Sequence, residues 1–175
     1  MGGARVLMEQ LHERFDKARV LGEGALDQLE PADWHFAPGT ESTSIAVIVK
    51  HLHGNMLSRW TDFLTSDGNK SWRQRDAEFE TDGTEPPAQI RAWWDAGWTL
   101  TLDTLASLDD ADLAREVTIR QMPLTVFDAI LRQHGHYNYH IGQIVYLARQ
   151  CRGEHWQTLS IAKGASAQYK AKPGD

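Results

Sequence analysis

Two histidines one helical turn apart, in His136-Tyr-Asn-Tyr-His140, are the residues of this chain best placed to do chemistry. They fall in a segment whose apolar residues follow a helical period. Both imidazoles therefore leave the same face, close enough to bind a single metal ion. A third imidazole from another helix would complete a three-nitrogen site with an open position, the arrangement that catalytic metals use. The run Lys50-His51-Leu52-His53-Gly54-Asn55 offers that ligand. With eight histidines in 175 residues, a spacing of four also arises readily by chance, so the surroundings must decide its meaning.

At about 100° per residue around a helix, Phe127, Ile130, Ile141, Ile144, Val145 and Ala148 form the main apolar stripe of this segment. His136 and His140 lie beside it, in the sector of Ala129 and Leu147, and Gln133 and Gln143 share their column. A carboxamide there can accept the second ring N–H of a metal-bound imidazole or bind a substrate group. The same column equally describes a metal-free polar strip between helices. His134 falls within the stripe and reads as a core residue. His51 shares a column with Ser44, Asn55, Ser58 and Asp62, whereas His53 falls near Ala46, Trp60 and Leu64. Because a ligand needs polar backing, which Asn55 can supply, His51 is preferred as the third ligand.

Other chemistry is thinner. Glu9 and His12 form one Glu-x-x-His, where a ferritin-like di-metal site needs two. The chain has no His-Glu-x-x-His, no Gly-x-Ser-x-Gly elbow and no Gly-rich phosphate loop. Arg73 or Arg75 on a lid would suit an anionic substrate, but such a charge run reads first as solvated surface. Cys151 is the only cysteine, so no intrachain disulfide forms and a reducing cytoplasm fits.

Four helical segments must position these residues. The first runs from about Arg5 to Leu29, and the second from Ser42 or Ser44 to about Leu64. A polar loop over 65–85 follows, long enough to be a lid, a binding loop or disordered. The third helix spans roughly Pro87 to Leu108, with proline in its first turn. Leu113 to Arg120 alternates like a short strand and Met122-Pro-Leu-Thr turns back, before a fourth helix from Thr125 to about Gln150. The tail, 151–175, reads as irregular, anchored by Trp156, Leu159 and Ile161. The expected fold is all-α: a four-helix bundle with a long loop between helices 2 and 3 and a minor β-hairpin before helix 4. A single domain covers 1–175.

The bulk composition excludes several classes. Net charge is −6, from 18 basic and 24 acidic residues mixed along the chain, which disfavours a nucleic-acid partner. No apolar run is long enough to span a bilayer, and Met1-Gly-Gly-Ala-Arg-Val lacks a secretory apolar region. Seven tryptophans are many, and some are expected to line a pocket or an interface.

Ser44-Ile-Ala-Val-Ile-Val-Lys-His-Leu-His-Gly-Asn-Met-Leu-Ser-Arg-Trp-Thr-Asp-Phe-Leu resembles the second helix of the DinB-like (damage-inducible, YfiT-like) superfamily. His136-Tyr-Asn-Tyr-His-Ile-Gly-Gln-Ile-Val-Tyr resembles its fourth-helix motif. Trp156-Gln-Thr-Leu-Ser-Ile-Ala-Lys-Gly resembles the tail of one poorly characterised bacterial branch, with Ala162 where that branch has proline. The resemblance covers roughly Arg5 to Tyr169. It implies an up-down-down-up four-helix bundle, usually dimeric, holding a divalent metal, commonly zinc or nickel. One histidine comes from the second helix and two from the fourth, which carries over to His51, His136 and His140. In characterised relatives the metal serves thiol chemistry, including bacillithiol S-transfer and a mycothiol-dependent isomerisation. The implied function is S-transfer from a low-molecular-weight thiol to a small electrophile; the helix columns, not the resemblance, add Asn55, Gln133 and Gln143 as supporting or substrate-binding candidates. The alternatives are a non-catalytic metal-binding dimer and a metal-assisted hydrolase using Glu9, Asp62 or Glu78 as base.

Overall fold

The computed structural model describes residues 4–170; Met1–Gly3 and the last five residues of the tail lie outside the described residues. Its four helices are α1 (Ala4–Leu26), α2 (Ile45–Trp60), α3 (Pro87–Ser107) and α4 (Val126–Arg152). Between α3 and α4, β1 (Glu116–Ile119) and β2 (Met122–Thr125) pair antiparallel, with Val117 opposite Leu124. The described residues are thus mostly helical, with one small two-stranded sheet.

Local chemistry sets the boundaries. The Ser44 hydroxyl accepts from the Val47 amide at 3.3 Å and caps α2, and the Thr125 hydroxyl accepts from the Asp128 amide at 3.1 Å and caps α4. Two helices stop earlier than their periodicity suggests. Asp62 takes a positive φ of 49° and its carbonyl accepts from the amides of Thr65 and Ser66, so α2 ends at Trp60 and not at Leu64. After α1, the Gln28 side chain bonds the backbone of Gln157 in both directions, holding the chain in a turn against the tail. In that tail Trp156 and Leu159 pack on the core, while Ile161 stays exposed.

Helix α1 packs against α3 and α4, and α2 packs against the same two, an arrangement consistent with a four-helix bundle. Helices α2 and α3 approach closely at Gly97, where an added Cβ would lie 2.7 Å from the Met56 sulfur. Phe15, Leu52, Met56, Trp60, Trp94, Trp98 and Tyr137 fill the centre. On α4 the inward positions are Val126, Ile130, Gln133, Tyr137, Ile141, Ile144 and Ala148. Phe127 lies outside this series and is exposed, because Val126 takes the inward place at the helix start. Among the described residues no helix is long and apolar enough to cross a membrane.

The segment between α2 and α3 is built, not slack. Asp67 accepts from the amides of Asn69, Arg120 and Gln121 at 2.6, 3.0 and 2.7 Å, tying it to the hairpin tip. A short 3₁₀ turn at Asp76–Phe79 then packs on α2.

Candidate metal centre

Helix α2 carries His51, and α4 carries His136 and His140 one turn apart. The packing of these helices brings all three imidazoles together. Nε2 of His136 lies 3.3 Å from Nε2 of His51 and 3.1 Å from Nε2 of His140. One ligand atom from each of the three residues fits within a 4.8 Å span. His51 and His140 are buried, and His136 is half-buried.

The far sides of two rings are occupied. His51 donates from Nδ1 to Oε2 of Glu78 at 2.8 Å, and His140 donates from Nδ1 to Oε1 of Gln143 at 2.8 Å. An imidazole whose Nδ1 carries the proton presents a bare lone pair at Nε2. Glu78 is buried and held by Arg73 through a two-point pair, Nε to Oε1 at 2.7 Å and Nη2 to Oε2 at 2.8 Å. Burial pushes the Glu78 acidity the other way, but the bonds from Arg73 and His51 outweigh it and keep the group ionised. Gly54 makes the approach possible, since a Cβ there would overlap the Glu78 carboxylate.

Burial, reinforced by the neighbouring imidazoles, pushes the basicity of His136 down to about 3. For His140, burial likewise dominates and lowers it to about 4, against the opposing bond to Gln143. Both rings are therefore neutral ligands at physiological pH. The three Nε2 atoms converge on these two short contacts, where at least His136 and His140 bring no positive charge. A cation would satisfy all three lone pairs at once. Metal–imidazole bonds of about 2.0–2.1 Å at near-tetrahedral angles set ligand nitrogens roughly 3.3 Å apart, close to the two separations measured from His136. The three histidines can bind a metal ion.

Aromatic rings and a buried hydrogen-bonded line surround the imidazoles. Phe79 lies over His51 with ring centroids 4.7 Å apart, and Tyr139 over His140 at 4.3 Å. Behind them Trp60 donates from Nε1 to the Tyr137 hydroxyl at 2.9 Å, which donates to Oδ1 of Asn55 at 3.3 Å. One side stays open: a cleft of about 220 Å³ reaches His51 and His136, with Asn55 and Gln133 in its wall.

Residues 3–165 match the family described as Protein of unknown function (DUF1572). The chain belongs to this family. No curated protein matches it.

In this DUF1572 chain the other sequence candidates fall in different places. His53 stacks on Trp93 at 6.3 Å and His134 packs on Phe15 at 5.2 Å, so neither is in the three-histidine cluster. Glu9 and His12 line a separate groove beside Leu105 and Asp109. The partner of His51 is Glu78, while Asn55, to which the spacing had given that role, is bonded to Tyr137. No tryptophan lines the cleft: Trp34, Trp60, Trp94 and Trp98 are core residues and Trp72 is exposed. The sequence offers Glu78 only as one of three possible bases, and Arg73 as a lid residue for an anionic substrate or as solvated surface charge. Nothing periodic in an irregular loop signals that the two form a pair behind a histidine.

Proposed function

We propose that this protein is a DinB-like four-helix bundle, a cytoplasmic homodimer that binds one divalent ion through His51, His136 and His140. Zinc and nickel suit three imidazoles equally well in donor chemistry. Its reaction would be S-transfer, joining a low-molecular-weight thiol to a small electrophile. The observation that carries this reading is the convergence of three imidazole nitrogens beside an accessible cleft. Structural zinc is normally closed by four protein ligands, whereas three with an open side is the catalytic pattern.

A bound divalent cation lowers the pKa of a coordinated thiol, supplying a nucleophile at neutral pH without a strong side-chain base. The chain's own part is positional. Glu78 and Gln143 orient two of the rings, burial keeps protons off His136 and His140, and Phe79 and Tyr139 shield the imidazole faces. In the transfer a sulfur–carbon bond forms and the bond from that carbon to its leaving group breaks. The leaving group departs with the electron pair, and the thiol proton passes to solvent. A hydrolytic role is less well supported, because both Glu78 oxygens are already engaged and cannot serve as a free base.

The test is turnover of an aryl halide with several thiols, before and after chelation, beside elemental analysis. A chelator-sensitive rate with one metal per chain supports the assignment. Full metal content with no turnover for any thiol favours a non-catalytic metal-binding bundle and removes the S-transferase reading.

A further inference from the structure

Five arginines line the cleft beside the histidines: Arg59 from α2, Arg73 and Arg75 from the following loop, Arg120 from the hairpin tip and Arg132 from α4. They come from four separate segments of a chain whose net charge is −6. Arg73 is matched by Glu78, and Arg75 lies against Phe79 and the exposed Asp76. Among the described residues, Arg59, Arg120 and Arg132 have no carboxylate partner, and no acidic residue lines the cleft.

Arg59 carries most weight. It is 4% exposed, its Nη1 donates to the Gly68 carbonyl, and its Nε has no partner. A buried guanidinium without a counter-charge is costly, and burial first, then Arg73, Arg132 and Arg120, push its pKa down to about 10. Oε1 of Gln133, also buried in this wall, is unpartnered too. Arg120 is delivered by strained backbone: it and Gln121 take φ of 56° and 63°, held there by the Asp67 carboxylate.

We infer that this cleft binds a small dianion, a phosphate or a compact dicarboxylate group, through Arg59, Arg120 and Arg132. The planar forks of guanidinium groups match both oxyanions. Gln133 adds a neutral contact, since a carboxamide can present either its oxygen or its NH₂. A volume of about 220 Å³ admits such a group but not a folded polyanion. Because the same cleft reaches His51 and His136, the anion would anchor one end of a substrate whose other end faces the histidines. That last clause rests on the function proposed above; the anion site itself does not.

The experiment is calorimetric titration of chelator-stripped protein at constant ionic strength. Ligands are inorganic phosphate and succinate, with acetate and neutral succinamide as controls. We expect saturable binding of at least one dianion and none of succinamide, with acetate about tenfold weaker, as expected from lost charged hydrogen bonds. Replacing both exposed residues, Arg120→Gln with Arg132→Gln, should weaken the dianion about tenfold or more. Arg115→Gln, at an exposed arginine paired with Asp112 outside the cleft, should change nothing. Absence of saturable binding by both dianions, unchanged affinity in the double variant, or equal binding of acetate would overturn the inference. Without metal in the titration, a failure here is independent of whether thiol turnover occurs.

Discussion

The line from Arg73 through Glu78 to His51 is the smallest unit on which the centre depends. Each member holds the next by charge or hydrogen bond, and only the last faces the shared point. Removing the charge in the middle, Glu78→Gln, frees Arg73 and weakens the hold on Nδ1 of His51. Loss of such an outer partner typically lowers metal affinity about 10- to 100-fold, measurable by competition with a chromophoric chelator. His136→Ala removes the nitrogen central to both short separations and should cost the full equivalent of bound metal. The same residue sets a pH response in the metal-free protein. The folded values, about 3 for His136 and about 4 for His140, lie below the ordinary 6.5. As pH falls below about 6.5 the unfolded chain takes up these protons first, so stability drops between there and about 3 and is untouched above. Urea midpoints at pH 7, 5 and 4 should fall less steeply for a His136→Phe variant than for the wild type.

At the level of elements, the segment between α2 and α3 is held at two points. Gly54 sits in the interior of α2, where alanine would ordinarily favour the helix by roughly 0.8–1 kcal/mol. Here the added methyl overlaps the Glu78 carboxylate, which is clamped by Arg73 and cannot move cheaply. Gly54→Ala should therefore separate the two readouts, with metal affinity falling while the thermal midpoint changes little. Asp67, earlier in the same segment, ties it to the hairpin. Burial opposes its ionisation, but backbone bonds from Gln121, Asn69 and Arg120 and the Thr118 hydroxyl bring it down to about 2. Its contribution is present above the ordinary 3.8 and is lost as pH falls through about 2. Asp67→Ala should free the tip that carries Arg120, costing roughly 1 kcal/mol of stability and weakening dianion binding, both visible in one thermal-shift titration with phosphate.

Over the whole molecule, the metal would join α2 to α4. A ligand bound only by the folded state stabilises it in proportion to the logarithm of its free concentration over Kd. Stripping the ion should lower the thermal midpoint, and restoring zinc or nickel should raise it again. Charge distribution matters at this scale as well, because an acidic chain concentrates unpaired guanidiniums at one opening. Capture of an anionic electrophile should slow as salt is added from low to physiological ionic strength, while a neutral one is unaffected. Equal salt dependence for the two would argue that the cleft does not steer its ligand.

How much of this was legible beforehand follows the range of each interaction. Helical period and capping residues such as Ser44 and Thr125 are local, so the four helices and the hairpin could be read directly, with errors at the ends. Asp62 shortened α2 through a backbone conformation that side-chain pattern does not encode. The spacing of His136 and His140, and the columns of His51 and Gln143, determined which side chains share a helix face. That the three Nε2 atoms meet was decided only by how α2 lies against α4. Tryptophans look alike in sequence whether they pack a core or wall a cleft, and packing placed four of them in the core. Glu78, Arg73 and the unpaired arginines belong to segments with no period, brought together across many residues of intervening chain. Periodicity records which way a side chain faces along its own element; its charge partner on another element exists only once the chain has folded.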